Sequence, residues 1–222
     1  MPDDLSLRED VERELGWEPI VRSAEIGVAV RDGVVMLTGA VDSYAVKRAA
    51  ERAAERVRGV RAVSSQLEVR PAVSAGRTDP DIAWSAANVL AWNALVPAER
   101  IRVAVSEGWV TLEGTVDWRF QRTAAEDAAA DLAGVVGVTN LINVSPPVPV
   151  EETKDEIETA LHRNAEIDAR RIIVEVRGDC VTLWGTVDSW AQRESVERAA
   201  WSAPGVREVA NHVTVEAGVA VN

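Results

Sequence analysis

An α+β fold built as three tandem αββαβ units is what this sequence predicts, and three observations predict it. One glycine-centred pattern occurs three times. Gly39, Gly114 and Gly185 each follow a Leu two positions back and precede Val-Asp two and three positions on, and a second glycine follows twenty residues later at Gly59, Gly134 and Gly205. Such internal self-similarity is the signature of a repeated structural unit. Ahead of each first glycine, apolar residues alternate on both sides of a Gly-containing turn, which is the pattern of a β-hairpin. Between the two glycines runs an alanine-rich stretch of helical period, and a further alternating run follows it. The units are expected at 1–70, 78–145 and 150–216, each a three-stranded mixed sheet with two helices on one face. A unit of that size buries only about 60% of its unfolded surface. Packing between units is therefore expected, and oligomerisation is left open.

Each unit begins with a short amphipathic helix. Leu7, Val11 and Leu15 step by four, with acidic residues crowding the early turns where they complement the macrodipole. The counterparts are Ile82, Ala86 and Leu90, then Glu151 to Leu161 with Ile157 and Leu161 inward. Gly16 and Pro19 end the first of these helices, and Pro97 lies beyond the second.

The hairpins follow. In unit one, Ile26 to Val30 and Val34 to Thr38 flank Asp32-Gly33; unit two turns at Glu107-Gly108 and unit three at Gly178-Asp179. Period two places Ile26, Val28, Val30, Val35 and Leu37 towards the helices, with equivalents at Ile101, Val103, Val105, Val110 and Leu112, and at Ile172, Val174, Val176, Val181 and Leu183. The opposite face receives Val34 and Met36, Trp109 and Thr111, and Cys180, Thr182 and Trp184.

The glycine after each second strand is read as a bend, and Asp42, Asp117 and Asp188 as N-caps of the second helix. That helix presents Val46, Ala49, Ala50, Ala53 and Val57 on one stripe, and Gly59, Gly134 and Gly205 close it as C-cap glycines. Val63 to Val69, Val138 to Val144 and Val209 to Val215 form the last strands. A right-handed crossover makes the second and third strands parallel; whether they are adjacent or separated by the first is left open. Arg70 to Pro80 and the proline-bearing Ser145 to Val150 are the linkers.

Composition narrows function. The chain carries 36 acidic against 24 basic residues, a formal net charge of −12. That argues against nucleic acid, whose affinity rests on Lys and Arg, and against simple electrostatic adsorption to anionic lipid. A single cysteine excludes an internal disulfide. The N-terminus lacks a basic start and an apolar core, and no apolar run reaches the roughly 20 residues of a membrane span. The chain as given is expected in the cytoplasm, or in the periplasm if a leader has been removed.

Chemistry-bearing residues are few. His162 and His212 lie on different elements, without Cys or carboxylate at metal spacing. His212 falls on the open sheet face, where it could neighbour Trp184. Cys180 has no basic neighbour to lower its pKa. The glycines form neither dinucleotide nor P-loop motif, and no nucleophile elbow is present. No catalytic residue, metal or cofactor is expected, so the chain is read as no enzyme.

The tryptophans carry more information: 8 of them against 1 Phe and 1 Tyr. Trp109 and Trp184 project from a sheet face that a two-layer unit leaves bare, which another unit, another chain or a ligand must cover. Tyr44, Trp118 and Trp190 sit at the start of the second helix, and Trp201 lies on it off the core stripe. Trp17 and Trp92 occupy equivalent places at the end of the first helix. Arg48, Arg52 and Arg56 step by four along the second helix of unit one. Tyr44, Trp118, Trp190, Trp201 and these three arginines are the candidate binding residues, the aromatics for a headgroup or protein interface and the arginines for an anion.

At these residues the chain resembles the BON domain, the bacterial osmotic-stress and nodulation module. The resemblance is carried by the hairpin, the V-x-L-x-G-x-V-D segment, the alanine-rich helix, and G-V-x-x-V-x-N-x-[IV]-x-V, present as Gly134 to Val144 and Gly205 to Val215. Unit one departs in having Ser65 where the others have Asn140 and Asn211. The resemblance implies bacterial envelopes, osmotic and other stress, transport-associated settings and phospholipid binding, with no catalytic residue to carry over. The expected function is a non-catalytic stress-associated interaction module contacting membrane phospholipid or an envelope-associated protein. The alternative is a sensor of a small ligand or a cation such as potassium, held between units.

Overall fold

The computed structural model describes residues 3–71, 77–145, 157, 159, 171–203 and 206–215. The first repeat runs α1 (Asp4–Trp17), β1 (Ile26–Arg31), β2 (Val34–Val41), α2 (Tyr44–Arg56) and β3 (Ala62–Val69). The second runs α3 (Asp79–Trp92), β4 (Ile101–Ser106), β5 (Trp109–Val116), α4 (Arg119–Ala130) and β6 (Gly137–Val144). In the third, β7 (Ile172–Arg177), β8 (Cys180–Val187), α5 (Trp190–Trp201) and β9 (Glu208–Val215) are described. The helix expected over Glu151 to Leu161 lies outside the described residues, except that Ile157 and Thr159 are helical, Ile157 fully buried in the core of its repeat and Thr159 exposed. Gly205, His162 and most of the second linker also lie outside them.

Each repeat builds one three-stranded sheet with its second strand in the centre. β5 pairs antiparallel with β4 and parallel with β6, and β8 does the same with β7 and β9. This settles the strand order that the sequence left open. A parallel pair needs a crossover longer than a hairpin, and the second helix supplies it.

The central strands alternate as the sequence predicts. Val35, Leu37 and Val41, Val110, Leu112 and Val116, and Val181, Leu183 and Val187 are buried. Burying a Leu side chain contributes about 2 kcal/mol. On the first strand, Val28, Val30, Val103, Val105 and Val176 are only half-buried, because that strand is a sheet edge with a neighbour on one side. Leu7, Val11 and Leu15 of α1 and Ile82, Ala86 and Leu90 of α3 are buried. Asp3 caps α1 by accepting from Ser6 N at 2.7 Å. Thr78 fixes the start of α3 by donating through N and Oγ1 to Asp81, at 3.0 and 2.7 Å.

A carboxylate joins each described first helix to its hairpin. Asp4 accepts from Asp32 N and Gly33 N at 2.9 and 3.2 Å, and Asp79 from Glu107 N and Gly108 N at 2.8 and 2.9 Å. Asp32 and Glu107 both have φ 52, and their glycines both have φ 76. Positive φ at both central positions defines a type I′ turn, whose two amides here point at one carboxylate.

Three local expectations are corrected. Gly39, Gly114 and Gly185 lie inside the central strands rather than after them, opposite Ile26, Ile101 and Ile172. The residue before each of those isoleucines brings its carbonyl against the glycine, where a Cβ would collide with it. Asp117 and Asp188 do not cap helices. They pair with Arg100 and Arg171, at 2.9 and 3.1 Å, on the segment leading into the first strand. The caps come one residue later: Ser189 accepts from Gln192 N at 3.2 Å and Ser43 from Val46 N at 3.3 Å. Gln121 and Gln192 accept from the backbone of Asp117 and Asp188, at 3.0 and 2.8 Å. The second helices stop before Gly59 and Gly134, whose φ of 98 and 93 instead turns the chain back towards the hairpin. There Arg61 N and Val136 N donate to the Gly33 and Gly108 carbonyls at 2.8 and 3.0 Å.

By internal contacts the residues group into two compact units. One holds Met1–Gly39, Ala49–Gln66 and Pro147–Asn222; the other holds Ala40–Arg48 and Leu67–Pro146.

Candidate functional site

His212 faces the open side of its sheet, where parallel register puts it beside Trp184. The two rings stack with centroids 4.3 Å apart and planes 18° apart. Cys180 is a free, half-buried thiol opposite Arg177 across the hairpin. Among the described residues, no group of three His, Cys, Asp or Glu side chains is placed to hold a metal ion.

The arginines of α2 are largely engaged. Arg48 reaches Asp127 at 2.9 Å, within the unit that holds both residues. Arg56 bridges Glu14 and Glu18 at 3.0 and 3.1 Å. Arg52 is exposed and makes no ion pair among the described residues. Among the described residues the three guanidiniums therefore form no open row: Arg48 and Arg56 are ion-paired, and the charge of Arg52 acts on Glu55.

The helix-end aromatics are half-buried. Tyr44 begins α2, Trp118 precedes α4, and Trp190 begins α5 with the Arg193 guanidinium 5.0 Å from its ring centroid. Trp201 ends α5 and corrects its sequence reading. It packs against the core of repeat three, and its indole N–H donates to Glu197 at 3.4 Å. Eleven residues of helix, about 16 Å, separate Trp190 from Trp201, so they do not form one site.

Larger apolar exposure lies on α3. Trp84 is 71% exposed and Trp92 is 83% exposed, with Leu95 exposed just beyond the helix. From Ile82 to Pro97 there is no charged residue. The equivalent positions of α1 hold Glu9 and Glu12 where α3 has Trp84 and Ala87. A surface helix ordinarily turns a charged face outward; α3 buries one apolar face and exposes another. Trp84 was not singled out from the sequence, although the uncharged run was there to find it.

The open sheet faces hold the other tryptophans. Trp109 is 49% exposed and Trp184 is 45% exposed. The six-membered ring of Trp109 fills the space that a side chain at Gly137 would occupy, and its indole N–H donates to Thr139 Oγ1 at 2.8 Å.

The BON domain family model matches residues 3–71, 78–146 and 149–217. Osmotically-inducible protein Y of Escherichia coli strain K12 is 32% identical over 142 residues, covering 62% of this chain and 71% of its own. Two structures of CdsD, a structural protein of the Type III secretion system of Chlamydia trachomatis, are 15% identical. They cover 95% and 96% of this chain and 92% and 99% of their own, with TM-scores of 0.25 and 0.26. Superpositions that loose carry nothing about function.

Proposed function

Because this chain belongs to the BON domain family, we propose that it is a stress-associated, non-catalytic binding module, and that its contact surface is the outer face of α3, seated at a membrane–water interface. The stress association is supported by the likeness to an osmotically inducible protein. The uncharged face bearing Trp84, Trp92 and Leu95 carries the choice of surface. Indoles favour the headgroup boundary, where the ring is buried and the N–H stays hydrated. A net charge of −12 opposes attraction to anionic lipid, so burial of apolar surface drives this contact.

Co-sedimentation with phosphatidylcholine vesicles tests the reading. The full chain should pellet with vesicles at physiological salt and equally at high salt. Trp84→Ala with Trp92→Ala should weaken partitioning about tenfold or more. The pair Trp118→Ala and Trp190→Ala asks whether the helix-start aromatics add to the contact. No vesicle association in the unaltered chain would remove the membrane and leave an envelope-associated protein as the partner of this face.

A further inference from the structure

The other side of repeat two is the open face of its sheet. A shallow groove of about 480 Å³ is lined there by Ala104, Ser106, Glu107, Trp109, Thr111 and Val136, with Val105 beneath. That volume falls within the range of small-molecule sites. One wall is the Trp109 ring, held in place twice over. Gly137, its register partner on β6, has no side chain to displace it, and the Thr139 hydroxyl accepts its indole N–H at 2.8 Å. Glu107 stands at the hairpin turn, its backbone fixed by the Asp79 carboxylate at 2.8 Å.

The fold does not require this arrangement. At the same sheet position repeat one has Val34 and Ala62, and repeat three has Cys180 and Glu208. Trp109 over Gly137 is particular to repeat two, and half of Trp109 remains in solvent.

We propose that this groove binds a small organic cation of the methylated-ammonium class, its cationic head held between the Trp109 ring and the Glu107 carboxylate. An aromatic face attracts a cation through its quadrupole, and the attraction grows as the cation is desolvated. Glu107 is the one charged side chain among the described residues lining the groove, so anions are disfavoured. A hard metal ion wants six or more oxygen ligands, and one carboxylate with two hydroxyls does not supply them. A weakly hydrated alkylammonium instead places its methyl groups against Ala104, Val136 and the indole. This site does not depend on the α3 surface.

The test uses the full chain with ¹⁵N-labelled indoles. Tetramethylammonium chloride is titrated against sodium chloride at matched ionic strength, with methyl glucoside as a neutral comparison. The Trp109 indole signal, assigned by its loss in Trp109→Leu, should shift saturably with tetramethylammonium alone. Glu107→Gln, which keeps the turn amide bonded to Asp79, should weaken that binding by at least about fivefold. The proposal is overturned by any of three results: no saturable shift, equal affinity in Glu107→Gln, or a shift produced by the glucoside instead.

Discussion

Gly114 has φ 153 and sits where a Cβ would meet the carbonyl of Arg100. Gly185 stands in the same way against Arg171, with φ 137. Both the conformation and the space exclude a side chain. Gly114→Ala should therefore destabilise by more than about 1 kcal/mol, since the native backbone is incompatible with the new residue. Urea unfolding of the single variant checks this, and an unchanged midpoint would mean the strand accepts a methyl group there. The sequence marked these glycines by their threefold spacing but read them as bends. Spacing shows that a residue must be glycine without showing which backbone atom crowds it. The aspartates illustrate the same limit. Asp117 and Asp188 precede helices as caps do, yet their partners are arginines 17 residues earlier in the chain, and no local pattern announces those.

At the scale of elements, one asparagine ties the second helix to the last strand in repeats two and three. Asn140 Nδ2 donates to the Arg122 carbonyl and to Glu126, both at 3.0 Å, while its Oδ1 accepts from Ile142 N at 3.2 Å. Asn211 repeats the pattern with Arg193, Glu197 and Val213 at 3.5, 3.2 and 3.1 Å. In repeat one Ser65 is too short to do this, and its buried hydroxyl has no hydrogen-bond partner among the described residues. The equivalent helix residues there are Lys47 and Glu51. Ser65→Asn should restore the link and stabilise by about 1 kcal/mol, whereas Asn140→Ser should cost about 1–3 kcal/mol. Thermal melts of the two variants should move in opposite directions; movement in the same direction would refute the link. Elements themselves were legible because two periods, 2.0 and 3.6, alternate three times along the chain. The central position of the second strand was not, since hairpin and crossover both permit a different order.

At the scale of the whole molecule, one half-buried carboxyl links folding to pH. Burial, then the negative charges of Glu194 and Glu51, raise the Glu55 carboxyl above its ordinary 4.5, with Arg52 opposing. The folded protein then holds a proton that the unfolded chain has released. Stability from this group is therefore unimpaired below pH 4.5 and falls as pH rises through the raised value. Glu55→Gln should raise the melting temperature at pH 7, and the gain should vanish by pH 4. An equal gain at both pH values would place the effect elsewhere. The family was legible in the sequence because its glycines, valines and asparagines recur at fixed spacing. The outer surface of α3 was legible only in part: the inward stripe of Ile82, Ala86 and Leu90 and the uncharged run to Pro97 put Trp84 opposite the buried side, but its exposure depends on whether another element packs there, which spacing does not encode.

The carboxylates at the head of α1 and α3 have a kinetic consequence. Asp79 grips the two amides at the tip of a hairpin that starts more than twenty residues downstream. Those N–H groups would otherwise exchange freely with deuterated solvent. Their protection is thus a clock for the departure of the leading helix, ticking at a loop that an isolated hairpin would leave unguarded.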